Sequence, residues 1–70
     1  MTYANLLIEL TESVAWVQIN RPEKLNALNR ATLVDLRQAF ESLVDDAQVR
    51  VIVLTGAGEK AFVAGADIAE

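Results

Sequence analysis

The chain has 70 residues, of which ten are acidic, six basic and none cysteine or histidine, for a net charge of -4. Its bases, Arg21, Lys24, Arg30, Arg37, Arg50 and Lys60, are scattered, which argues against nucleic acid as a partner, and the missing thiols and imidazoles exclude disulfides, imidazole bases and the usual zinc sites, so no metal is expected. A chain this short buries only about 60% of its unfolded surface, yet 53% of it is hydrophobic, so part of the apolar surface calls for cover from a longer chain or another subunit.

The first elements follow a period of two. Leu6, Ile8 and Leu10 alternate with Leu7 and Glu9, and over 14–20 Ala15, Val17 and Ile19 alternate with Trp16, Gln18 and Asn20, the pattern of half-buried strands. With Thr11-Glu12-Ser13 as a polar connector they predict an antiparallel hairpin. Asn20-Arg21-Pro22 ends it, because proline cannot donate to a ladder and biases its predecessor away from helix.

From Asn29 the period changes. Leu33, Leu36, Phe40, Leu43, Val44 and Ala47 fall at helical spacing, with Arg37, Glu41 and Asp45 on other faces, predicting an amphipathic helix. Its N-cap is Asn29 or Thr32, the second with Asp35 in capping-box spacing. Asp45 and Asp46 oppose the helix dipole at the other end, so the helix should stop near them. Residues 49–55 then read as a strand apolar on both faces at Val51-Ile52-Val53-Leu54, which implies a parallel strand covered on both sides and an α/β architecture. No leader-like segment precedes the first strand and no apolar run approaches the roughly 18 residues of a membrane span, so the expected compartment is the cytoplasm and no membrane partner is expected.

All three glycines, Gly56, Gly58 and Gly65, fall in the last fifteen residues. A strand that breaks at glycine and delivers the small residues Ala64-Gly65-Ala66 to a helix start near Ala66 leaves backbone N–H groups uncrowded and ready to bind an anionic oxygen. The plainer alternative is a tight turn with close-packed alanines and Asp67 as a helix cap. Gly56-Ala57-Gly58-Glu59-Lys60-Ala61 also fits the G-x-G-x-x-G/A dinucleotide fingerprint, although no acidic residue follows on a second strand about 20 residues later. Lys24, beside Glu23 in a proline turn, reads on its own as solvated surface, as do Glu9, Glu12, Asp35, Glu41, Asp45 and Asp46. The aromatics Tyr3, Trp16 and Phe62 read as packing rather than as a stacking platform.

Two segments carry a family resemblance. Ala61-Phe62-Val63-Ala64-Gly65-Ala66-Asp67-Ile68 resembles the oxyanion loop of the crotonase (enoyl-CoA hydratase/isomerase) superfamily, and Asn20-Arg21-Pro22-Glu23-Lys24-Leu25-Asn26-Ala27-Leu28 resembles the Asn-Arg-Pro to Asn-Ala-Leu segment after that family's second strand. The one departure is Val63, where many members carry a smaller residue. The resemblance implies that residues 1–70 are an incomplete N-terminal segment of one crotonase-like domain of the α/β class: a hairpin, amphipathic helix, buried parallel strand and oxyanion loop from a ββα spiral. It further implies an acyl-CoA thioester as substrate, with coenzyme A part of that substrate and no separate cofactor. The reaction it implies is hydration of 2-enoyl-CoA, with isomerase or hydrolase chemistry and a catalytically silent fragment as alternatives. By the same resemblance the Ala66 N–H is one of two oxyanion donors, while Lys24, Leu25, Ala27, Ala64, Gly65, Asp67 and Ile68 bind substrate. The second donor and the glutamates that activate water belong to family segments beyond residue 70, so the 70-mer alone is expected to be inactive. A homo-oligomer, trimeric or hexameric, is implied as well.

Overall fold

The computed structural model describes residues 3–66. Strands β1 (Leu6–Thr11) and β2 (Val14–Ile19) form the antiparallel hairpin, a single 3-10 turn spans Pro22–Lys24, helix α1 covers Arg30–Val44, and β3 (Val51–Gly56) returns parallel to β2. The sheet order is β1-β2-β3.

Thr11, read as part of the connector, pairs with Val14, so the hairpin turns on Glu12 and Ser13 alone. Both have positive φ, 49° and 71°, the signature of a type I′ turn, whose twist suits a two-residue hairpin. Neither is glycine or asparagine, which explains why composition alone pointed to a longer loop.

Alternation sets the core. Ala15, Val17 and Ile19 are buried, and their partners across β1, with Leu6 fully covered and Ile8 half-covered, lie on the same face. Trp16 and Leu7 take the opposite face and stay exposed. Against the buried face lies α1, through Ala39 and Leu43 with Leu36 and Phe40 at the margin. The helical spacing therefore places the right side of the helix inward at Leu36, Phe40 and Leu43, but Leu33, Val44 and Ala47 remain exposed while Thr32 and Ala39 are fully buried. Ala39 is covered completely in the core cluster, and Thr32 is covered in the first turn beside its cap.

Asn29 is the N-cap: its Oδ1 accepts the Thr32 N–H at 2.9 Å and the Thr32 hydroxyl as well. Thr32 is thus inside the first turn, and the alternative cap is set aside. Asp35, expected in solvent, is half-buried and accepts the Asn5 N–H at 3.2 Å, tying the helix to the approach of β1. At the other end α1 stops at Val44 with Asp45 as C-cap, where the two aspartates oppose the dipole.

The parallel pairing of β3 agrees with the sequence, but its two-sided cover does not. Val51 is 51% and Leu54 38% exposed. β3 is a sheet edge among the described residues, and α1 lies nearer β1, so apolar side chains on both of its faces wait for cover these residues do not supply. Leu7, Leu10, Trp16, Leu33, Val34 and Phe62 are exposed too, the excess that the composition implied.

Candidate functional site

The site is built where β2 and β3 end side by side, because parallel neighbours deliver both following loops to one edge of the sheet. After β2 the chain makes its 3-10 turn and then two left-handed residues, Leu25 (φ 52°) and Asn26 (φ 58°). After β3 it runs without regular secondary structure from 57 to 65. The two stretches are tied together along their length: the Ala64 N–H donates to the Leu25 carbonyl at 3.0 Å, and the Leu28 N–H donates to the Gly65 carbonyl at 2.8 Å, closing an isolated parallel bridge between Leu28 and Ala66.

That bridge bears directly on Ala66. In a parallel ladder one residue of each pair spends its N–H and C=O on the neighbour while the other points its own groups away. Leu28 is the spending residue here, and among the described residues the Ala66 N–H donates to no backbone oxygen. Gly65, at φ +119°, adopts a conformation that side-chain-bearing residues rarely do, and a Cβ placed on it would meet nothing within 4 Å. The backbone beside Ala66 is therefore approachable, and Ala64, Gly65 and Ala66 are all exposed.

The earlier segment is more committed. Lys24 and Leu25 are exposed and Ala27 half-buried. Their main chain is already paired: Lys24 N–H with the Arg21 carbonyl at 3.0 Å, Leu25 N–H with that of Pro22 at 3.1 Å, Ala27 N–H with that of Lys24 at 3.1 Å, and the Ala27 carbonyl with Arg21 Nη1 at 2.6 Å. A ligand at this edge has side chains and second lone pairs to use. Leu25 lines a shallow groove with Pro22, Glu23, Gly58, Glu59 and Lys60, two carboxylates against one ammonium, so its walls do not select an anion. Asp67 and Ile68, and the helix expected to begin near Ala66, lie outside the described residues.

Asn26 was not singled out by the sequence, yet it is the polar centre of the site. It is 1% exposed; its Oδ1 accepts the Arg21 N–H at 2.9 Å, and its Nδ2 donates to the carbonyls of Ala57 at 2.7 Å and Ala61 at 2.8 Å. Two carbonyls on one side and an N–H on the other fix the amide orientation. Gly56 is the other residue whose role needed coordinates: an added Cβ would lie 2.3 Å from the Phe62 carbonyl oxygen and 2.8 Å from Asn26 Nδ2. The only hint in the sequence was asparagine in a turn, where it tolerates left-handed backbone.

The same geometry disposes of the dinucleotide fingerprint. That motif needs its glycines to open a helix whose N-terminus holds pyrophosphate, and no helix follows among residues 57–65. Gly56 serves close backbone approach instead. Among the described residues no group of acidic, histidine or cysteine side chains is arranged to hold a metal ion.

A hairpin, a crossover helix and a parallel strand whose exit loop is strapped to an Asn-Arg-Pro turn define the N-terminal part of a crotonase-type fold, and solved structures bear this out. An enoyl-CoA hydratase/isomerase from Xanthobacter autotrophicus Py2 superposes with a TM-score of 0.92 at 37% identity over 97% of this chain and 25% of that one, and an enoyl-CoA hydratase from Bacillus anthracis with 0.91 at 40% identity over 94% and 26%. The chain belongs to the enoyl-CoA hydratase/isomerase family, whose sequence profile matches residues 9–70. Among its relatives are a crotonyl-CoA hydratase of Syntrophomonas wolfei, 46% identical over 99% of this chain and 26% of the relative, and a short-chain-enoyl-CoA hydratase of Clostridium acetobutylicum, 49% identical over 100% and 27%. The chain spans about a quarter of the length of these relatives.

Proposed function

We propose that these residues are the N-terminal part of an enoyl-CoA hydratase and supply one oxyanion donor and part of the coenzyme A edge. The observation that supports this most is the Leu28–Gly65 hydrogen bond, whose register turns the Ala66 N–H away from the ladder. Adding water across a 2-enoyl thioester places negative charge on the thioester oxygen. A preorganised N–H aimed at that oxygen, in a site closed to water, contributes about 3–4 kcal/mol to the barrier reduction. Its small neighbours Ala64 and Gly65 let the thioester reach the backbone. Acid–base chemistry requires groups that the described residues do not bring to the site, since Glu23 and Glu59 line only the shallow groove beside it. It is therefore assigned to the rest of a longer chain.

The relatives' names carry the substrate class in this proposal: a crotonyl-CoA hydratase and a short-chain-enoyl-CoA hydratase act on short enoyl thioesters. Lys24, Leu25 and Ala27 are assigned to the coenzyme A portion, as are Asp67 and Ile68. An oligomer belongs to the same proposal, supported by the apolar residues left exposed on α1 and on the outer sheet face, and a cytoplasmic location belongs to it through the family resemblance alone. Among the described residues no helix is long and apolar enough to cross a membrane. The test is titration of the full-length protein with acetoacetyl-CoA by calorimetry, together with loss of the conjugated-enoyl ultraviolet absorbance of crotonyl-CoA. Saturable binding and hydration are expected. Binding without hydration would move the assignment to an isomerase or hydrolase of the same family, and no binding would leave a silent scaffold.

A further inference from the structure

The buried amide of Asn26 is a cost unless every one of its hydrogen-bonding groups is met, and here all of them are. Its partners are not scattered. Ala57 and Ala61 bracket the first half of the loop after β3, and Leu25 and Leu28, on either side of Asn26 in the same stretch, hold the second half at Ala64 and Gly65. Four hydrogen bonds from a four-residue stretch thus fix the loop from 57 to 65, directly before Ala66. The stretch keeps two consecutive non-glycine residues at positive φ, a strain that persists only where surrounding contacts over-determine it.

We infer that Asn26 is a positioning residue, resting on the function proposed above: its carboxamide locks the loop that presents the Ala66 N–H onto the segment assigned to coenzyme A, so that one side chain sets the distance between where the substrate is held and where its carbonyl is polarised. Asn26 does not touch the reacting atoms. Gly56 belongs to the same joint, because only a residue without Cβ lets the Phe62 backbone and Asn26 Nδ2 close over the end of β3. The functional consequence is specific: loosening the joint should weaken polarisation of the thioester more than binding.

The experiment compares the full-length wild type with Asn26→Asp, Asn26→Ser and Gly56→Ala. Asn26→Asp keeps the size and the acceptor for Arg21 N–H but removes both donors and sets a carboxylate against two carbonyl oxygens. Asn26→Ser is the milder uncharged variant, should the aspartate fail to fold, and Gly56→Ala strains the joint from the other side without removing a hydrogen-bonding group. The readout is the infrared carbonyl stretch of butyryl-CoA carrying ¹³C at the thioester carbon. Wild type should lower that frequency on binding; the variants should show less than half the wild-type shift, with kcat for crotonyl-CoA down roughly a hundredfold and KM within about threefold. Folded variants with a full carbonyl shift overturn the positioning role, whatever their Tm. A wild type that neither shifts the carbonyl nor hydrates crotonyl-CoA overturns the function itself, a separate result read before any variant is made.

Discussion

In the sheet and helix the buried groups are Leu6, Ala15, Val17, Ile19, Ala39 and Leu43, apolar throughout except for Thr32 in the first turn of α1, which the Asn29 cap satisfies; at the joint between 20–28 and 56–66 they are Arg21, Asn26 and Ala57. The first set is held by non-directional burial, which tolerates exchange so long as volume and pattern are kept. The second is held by a few directional bonds to main-chain carbonyls, where one lost donor leaves a buried acceptor unmet. Apolar packing determines whether the protein folds, and the polar joint determines where one N–H points.

The two regions should therefore separate in experiment. Ala66→Pro removes the proposed donor while the segment that holds it keeps its other bonds. It should lower kcat for crotonyl-CoA by about 10²–10³, or about 3–4 kcal/mol, with little change in Tm; an unchanged kcat would remove the oxyanion role. Leu43→Ala, in the apolar region, should do the opposite, lowering the urea unfolding free energy by about 2–5 kcal/mol while kcat per folded molecule stays put. If kcat instead fell in step with stability, the regions would be one unit. Asn29→Ala takes away the N-cap and should cost about 1 kcal/mol, again without a change in KM. Smallest is the hairpin: replacing Glu12-Ser13 by Asn-Gly relieves two left-handed non-glycine residues at the expense of glycine's freedom in the unfolded chain, and should add about 0.5 kcal/mol, visible as a slightly higher urea midpoint.

What could be read in advance differs between the same two regions. The strands, the helix and its stop at Asp45 follow from periods of 2 and 3.6 and from the dipole, so they were legible at Leu6, Val17, Leu36 and Leu43. Which residues lie closest was not: Thr32 and Ala39 are fully buried while Leu33 and Val44 face solvent, because the crossing of helix on sheet selects a narrower stripe than hydropathy does. At the site, the positions of Ala64, Gly65 and Ala66 were legible from their smallness and from the family motif. Asn26 was not, since its partners at Ala57 and Ala61 are 31 and 35 residues away.

By itself, then, the sequence determined the order and kind of elements, the lack of imidazole and thiol side chains in these seventy residues, and the family, because these depend on side-chain type and on neighbours a few positions off. Only the tertiary structure decided that Leu28 rather than Ala66 spends its N–H on the bridge, that Gly56 makes room for Phe62, and that a buried asparagine joins the two loops. Those are matters of hydrogen-bond register and contact distance, and they exist only once the parallel strands have brought distant segments to the same edge.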